Sequence, residues 1–303
     1  DNSYVVRYRV DVKLKISLQL PKHLHNSVIS RIKVMSNLKI DETRKPQDGR
    51  IRITVDGQVI DLRISTLPLS TSEKVVIRIL DTSGGGLTFE DLGFVGKNLQ
   101  YVTDNIVKSN GMFLVTGPTG SGKSTTLYSA LNVLNKEDVN VITLEDPIEY
   151  YLEGVNQSQV HPEIGYTFAS GLRSILRQDP DVVMVGEIRD NETAELAIHA
   201  ALTGHLVLST LHTNDAIGAI PRFIDMKVEP FLLASTLNLI IAQRLVRKIC
   251  KFCKEEIELP DRVTKIAKEI FESVPKAEIP KDLDINKLKF FHGKGCARCG
   301  NTG

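Results

Sequence analysis

The chain has 303 residues, 42% hydrophobic and 25% charged, with 38 Lys plus Arg against 37 Asp plus Glu for a net charge of +1. At about 150 residues per domain that length predicts two domains, and it suffices for a core without disulfide staples. The balance excludes a general pull toward nucleic acid or anionic membrane, no run reaches the ~18 apolar residues of a bilayer-spanning helix, and no signal peptide opens the chain.

The start, Asp1-Asn2-Ser3-Tyr4, lacks a Met and reads as that of a fragment. Val5 to Ile16 reads as strand-like. After Pro21, Leu24, Val28, Ile32, Met35 and Leu38 recur at helical spacing. Ile51, Ile53 and Val55 alternate with polar residues, as do Ile60, Leu62 and Ile64, and Asp56-Gly57 between them is a hairpin signal. A further strand over Lys74–Leu80 completes a small α/β unit at 1–81. Gly84-Gly85-Gly86, with Gly93 and Gly96, marks 82–98 as a flexible linker. The grammar then changes. Strands at Met112–Thr116, Val139–Leu144, Val182–Gly186 and Leu206–Thr210 alternate with helices at Lys123–Leu134, Thr167–Gln178, Glu192–Leu202 and Phe231–Arg247. That pattern predicts a mainly parallel sheet with helical crossovers over 99–247. Residues 248–303 form a third, cysteine-bearing element.

Gly117-Pro118-Thr119-Gly120-Ser121-Gly122-Lys123-Ser124 matches the phosphate-loop pattern G-x-x-x-x-G-K-[ST] between a strand and a helix, and Thr125 extends the nucleotide-binding set. Glycines let backbone N–H groups wrap phosphates, and the helix start adds partial positive charge. Lys123 is expected at the β and γ phosphates of ATP and Ser124 at Mg²⁺. Such a loop needs carboxylates on neighbouring strands. Glu145, Asp146 and Glu149 follow one strand, and Glu187 follows another. His205 and His212 flank the strand Leu206–Thr210, and His212 is placed to sense the γ phosphate.

Cys250-x-x-Cys253 and Cys296-x-x-Cys299 enclose 42 residues. Two such knuckles can converge on Zn²⁺, although the spacer exceeds usual ribbon spacing, and a redox pair or unmetallated thiols are the alternatives.

Together these blocks resemble the secretion ATPase superfamily of type II secretion and type IV pilus assembly motors. The matching residues are Gly117–Ser124, Thr143–Glu149, Leu176–Asp181 leading into Val185–Asp190, Leu202–His205, Thr210–Asn214 and Ile241–Leu245. The resemblance implies a PAS-like N-terminal domain joined to a RecA-like ATPase domain with a zinc-binding tetracysteine element. It implies Glu149 as general base, and Glu187 acting with Mg²⁺ and the attacking water. Arg63 and Arg78, opposite in phase to Leu62, Ile64, Ile77 and Ile79, match arginines that reach the γ phosphate when the domains close. Arg173, Arg177 and Arg189 match family arginines at nucleotide or subunit contacts.

The resemblance further implies a hexameric ring that drives an inner-membrane platform protein from the cytoplasmic face of the bacterial inner membrane. Val12 stands where a Gly is more usual. The family's N-terminal docking domain is not in the sequence, and Asn301-Thr302-Gly303 ends where relatives continue into a helical part. Two rivals are a RecA-like nucleic-acid translocase, disfavoured by the neutral charge, and a non-hydrolysing scaffold, disfavoured by the full acidic set.

Overall fold

Residues 3–10, 13–81, 86–274 and 288–303 are described by the computed structural model, so Val12, Gly84 and Gly85 lie outside the described residues. The strand-like stretch Val5–Ile16 falls on two strands, β1 (Ser3–Val10) and β2 (Lys13–Pro21), paired antiparallel with Val10 opposite Lys13. Apolar residues alternate unbroken through Val10, Val12 and Leu14, so the sequence carries no turn signal there.

Helix α1 (His25–Met35) follows, then the antiparallel sheet β3 (Gln47–Val55), β4 (Gln58–Pro68) and β5 (Glu73–Asp81). Asp56 and Gly57 both take left-handed backbone angles, φ 51° and 78°, as the two-residue turn of a β3–β4 hairpin requires. Ile29 of α1 and Ile51 and Ile64 of the sheet form the small core. Beside it Lys33, fully buried, pairs with Glu73 at 2.7 Å and donates to the Glu42 carbonyl at 3.0 Å, tying α1 to the sheet.

The second region opens with Phe89, buried edge-on against Phe94, and α2 (Gly96–Ile106). Six parallel strands follow: β6 (Gly111–Thr116), β7 (Val141–Glu145), β8 (Asn156–Gln159), β9 (Val182–Val185), β10 (Leu206–Leu211) and β11 (Leu237–Ala242). Their order is β11-β6-β10-β9-β7-β8. Between them run α3 (Lys123–Leu134), α4 (Phe168–Ile175), α5 (Asn191–Leu202), α6 (Ala219–Asp225) and α7 (Pro230–Thr236). Helices cover both sheet faces, so β6, β7, β9 and β10 are buried along their whole length.

The expected helix over Phe231–Arg247 is corrected. Only α7 is helical, and Leu237–Ala242 pairs with β6 as an edge strand. The run Leu-Asn-Leu-Ile-Ile-Ala suits either state, and the parallel ladder against β6 decides it.

The last unit is an antiparallel pair, β12 (Lys254–Ile257) with β13 (Phe290–Gly293), and the intervening chain carries α8 (Asp261–Ser273). No helix among the described residues is long and apolar enough to cross a membrane.

Candidate active site and metal centre

In a parallel sheet all strands end on the same edge, and ligands sit there. The adjacent strands β6, β10, β9 and β7 deliver to that edge the phosphate loop, His212, Glu187 and the acidic segment Glu145–Glu149, in that order. His205 stands at the opposite end of β10, where its Nδ1 lies 3.0 Å from the Ala200 carbonyl at the close of α5. A six-residue strand puts it about 20 Å from the loop edge.

The phosphate loop fits an anion. Gly120 and Gly122 have φ of 77° and 87°, angles open to glycine that turn successive N–H groups inward. A Cβ on Gly117 would lie 2.5 Å from the Gln243 carbonyl oxygen and 2.7 Å from Ser121 Oγ, so the loop rests on the chain beyond β11. Ser121 Oγ is buried and, among the described residues, has no hydrogen-bond partner. Lys123 Nζ donates to the Gly117 and Pro118 carbonyls at 3.1 Å each. Burial lowers the Lys123 pKa, the Glu187 carboxylate opposes that shift, and Arg244 adds to it.

Glu187 is held from two sides. His212 Nε2 lies 3.4 Å from one carboxylate oxygen, and Arg189 Nη2 donates to the other at 2.5 Å. Arg189 also reaches Asp146 at 4.0 Å, so it bridges the two acidic strand ends. Arg173, by contrast, pairs with Glu192 of α5, and Arg177 donates to the Arg173 carbonyl at 2.8 Å.

Behind the acidic segment lies a buried polar cluster. Glu145 accepts from Thr143 Oγ1 at 2.6 Å, from Gln157 Nε2 at 3.1 Å and from the Tyr128 hydroxyl. Burial still holds its carboxyl above the ordinary carboxylate range, and burial with the nearby Glu145 charge pushes Tyr150 up to about 12. Glu149 is half-buried, and its backbone N–H donates to the Tyr128 hydroxyl at 3.1 Å.

The three-stranded sheet meets the same segment. Register sets Arg50, Arg63 and Arg78 side by side across β3, β4 and β5. Arg50 Nη2 donates to the Ile148 carbonyl at 2.5 Å and to Gln159 Oε1 at 2.9 Å. Arg63 and Arg50 line a cleft of about 620 Å³ whose far wall includes Pro147, Ile148 and Gln159, and Arg78 is exposed beside them. Arg52 makes a two-point ion pair with Asp61 at 2.7 and 2.8 Å, beneath the Tyr151 ring.

At the other end of the chain, the β12–β13 ladder sets Lys254 opposite Gly293 and so brings the two Cys-x-x-Cys turns together. The four ligand sulfurs lie within 4.8 Å of one another, with Cys250–Cys296 and Cys253–Cys299 both at 3.9 Å and Cys296–Cys299 at 3.7 Å. Tetrahedral Zn²⁺ with bonds of about 2.3 Å requires sulfurs about 3.8 Å apart. Backbone N–H groups of Cys296 and Gly303, at 3.2 and 3.3 Å, draw the Cys299 thiol down to about 6. The donor set fits zinc.

The family model for Type II/IV secretion system protein matches residues 1–303. The chain belongs to that family. Type II secretion system protein E of Pseudomonas aeruginosa is 56% identical over 251 residues, which is 83% of this chain and 50% of that protein. The type IV pilus assembly ATPase PilB of Myxococcus xanthus is 47% identical over 304 residues, covering all of this chain and 52% of PilB. The chain spans about half the length of these curated relatives. The crystal structure of the pilus retraction motor PilT with bound ADP superposes with a TM-score of 0.67 at 35% identity, over 83% of this chain and 74% of PilT. The central sheet is thus the RecA-like P-loop core of a secretion and pilus motor family, preceded by a mixed α/β region and followed by a cysteine cluster.

Sequence reasoning missed several residues of the site in this family member. Arg50 is the third of the aligned arginines, and its alternation with Ile51 carried the same signal as Arg63. Gln243, whose Oε1 accepts from Thr126 at 2.8 Å, and Arg244, which donates to Asn214 O at 2.7 Å, belong to the family-matching segment Ile241–Leu245 but were placed in a helix, so their contacts with the loop and with Asn214 went unread. Tyr128 sits where helical periodicity reads only as core.

Proposed function

We infer that this chain is the Mg²⁺-dependent ATP-hydrolysing core of a hexameric motor that powers type II secretion or type IV pilus assembly. The observation that carries the reading is the convergence of the phosphate loop, Glu187 and the acidic segment on one sheet edge, in a chain of this family. ATP binding replaces the Gly117 and Pro118 carbonyls at Lys123 with phosphate oxygens, while N–H groups of Gly117–Thr125 cradle the phosphates. Ser124 and Glu187 would hold Mg²⁺, which neutralises phosphate charge when bound. Glu149 takes a proton from the water that attacks the γ phosphorus as the β–γ bridging oxygen leaves. His212 and Arg189 orient Glu187. Arg63 and Arg78 stabilise the departing phosphate charge when the N-terminal sheet swings toward the loop.

In this reading residues 1–81 form a PAS-like domain, 82–98 a linker and 99–247 the motor domain. Residues 248–303 fold around Zn²⁺ held by Cys250, Cys253, Cys296 and Cys299. The ring drives an inner-membrane platform protein from the cytoplasmic face.

Hydrolysis of Mg·ATP measured against protein concentration tests the reading. A rate per subunit that climbs with concentration and vanishes in Lys123→Ala supports an assembling motor. A rate indistinguishable from the Lys123→Ala background at every concentration, with ATP still bound, refutes it.

A further inference from the structure

Tyr128 lies one helical turn after Ser124, so the two residues occupy the same face of α3. Its ring is fully buried and meets the Tyr150 ring edge-on, with centroids 4.4 Å apart. Its hydroxyl has two partners on the acidic segment: it donates to Glu145 and accepts from the Glu149 N–H at 3.1 Å. Glu145 cannot shift to follow another donor, because Thr143 and Gln157 hold its second oxygen at 2.6 and 3.1 Å. Gln157 in turn donates to the Tyr150 carbonyl at 3.1 Å and accepts from the Leu152 N–H at 2.7 Å. The hydroxyl therefore ties the helix that carries Lys123 and Ser124 to the main chain of Glu149.

A phenylalanine would fill the same volume and satisfy the same apolar packing. A hydroxyl here costs desolvation unless it is used, and both of its hydrogen-bonding roles are filled.

We propose that Tyr128 is a positioning residue for hydrolysis, acting through the Glu149 backbone to hold that carboxylate at a fixed distance from the nucleotide's phosphates. The proposal rests on the reading of Glu149 as general base. A displacement of a reacting group by about 1 Å costs on the order of 10²-fold in rate, so a single tether to the base can govern turnover. Substrate binding is not expected to depend on it, because the phosphates are held by loop N–H groups and Lys123.

The test is a double-mutant cycle in ATP hydrolysis at a protein concentration where the rate per subunit has levelled off. Tyr128→Phe is expected to lower kcat about 10-fold or more with the affinity for ATP unchanged. Glu149→Gln alone is expected to lower kcat further. In the Glu149→Gln background, Tyr128→Phe should have no additional effect, since its target no longer acts as a base. Hydrogen exchange supplies a readout without turnover: in Tyr128→Phe the peptide spanning 146–152 should exchange faster, because the Glu149 N–H has lost its acceptor.

Equal losses from Tyr128→Phe in both backgrounds, an effect on ATP affinity with kcat preserved, or unchanged exchange would each overturn the proposal. If Glu149→Gln hydrolyses at the wild-type rate, the base assignment itself falls and takes the proposal with it, a distinct result. Tyr128→Met, which fills the site with a flexible apolar chain, carries the same expectations should the phenylalanine variant not fold.

Discussion

In the six-stranded sheet, β6, β7, β9 and β10 bury every residue between two layers of helices. In the three-stranded sheet, β5 leaves Val76, Ile77 and Ile79 at 53%, 45% and 60% exposure. The larger sheet closes its own core, whereas the smaller one buries a few isoleucines and relies on polar latches: Lys33 to Glu73 inside, and Arg50 to Ile148 and Gln159 outside. The C-terminal unit goes further, since no side chain of α8 is fully buried and Ala267 and Phe271 are only half-buried. The difference teaches that stability is concentrated in the phosphate-loop region, while the flanking units are held by a handful of specific contacts. The outer, half-buried latch of Arg50 exchanges with solvent at low cost, whereas the buried Lys33–Glu73 pair is costly to open.

The comparison breaks most visibly at the cysteines. Strong chelation, or Cys253→Ser, should abolish hydrogen-exchange protection across the β12–β13 pair while β6–β10 keep theirs. A C-terminal unit equally protected without metal would mean that its side chains suffice. Next, if Arg63 reaches the γ phosphate as proposed, Arg63→Ala should lower kcat by about 10³-fold, and because the side chain is half-exposed the melting temperature should stay nearly unchanged. A melting shift with full turnover would reverse that division.

Core substitutions sharpen the same contrast. Leu144→Ala, in the fully buried β7, should cost about 2–5 kcal/mol in urea unfolding. Ile79→Ala should stay within about 0.5 kcal/mol. Comparable losses at the two sites would show that the small sheet is stabilised as the large one is.

The smallest effect concerns Glu145. Burial raises its pKa above 4.5, so the folded state binds its proton more tightly than the unfolded chain. Its contribution is full below pH 4.5 and falls as pH rises through the raised value. Glu145→Gln removes that titration. The urea midpoint of the variant should gain on wild type from pH 4.5 upward, and parallel profiles would show that the charge is fully compensated.

The elements that were legible in the sequence are those where local pattern and tertiary role agree. The phosphate loop is contiguous, and β6, β9 and β10 are apolar runs bounded by turns. The Asp56-Gly57 hairpin needs only two residues with left-handed backbone. Other elements are set by partners distant in the chain. Strand β8 is Asn-Gln-Ser-Gln, polar throughout, and exists because β7 offers it a ladder. The cysteine spacing exceeds that of usual ribbons, and the β12–β13 ladder brings the two knuckles together by pairing Lys254 with Gly293. Arg50 and Arg63 show the same alternation, but only Arg63 was marked by the family resemblance, and register is what sets Arg50 beside it. Tyr128 was hidden for the opposite reason: its ring obeys the core pattern, and only its oxygen does anything further.

The support under Gly117 has a mechanical consequence. The Gln243 N–H donates to the Thr116 carbonyl at 2.9 Å, and its carbonyl oxygen fills the space where a Cβ on Gly117 would go. From Arg244 to Cys250 the chain runs six residues, at most about 20 Å when extended. The cysteine unit is therefore a knob on a short leash, anchored at the floor of the phosphate loop. A displacement of that knob bears first on Gln243 and Arg244, and so on the floor of the phosphate loop.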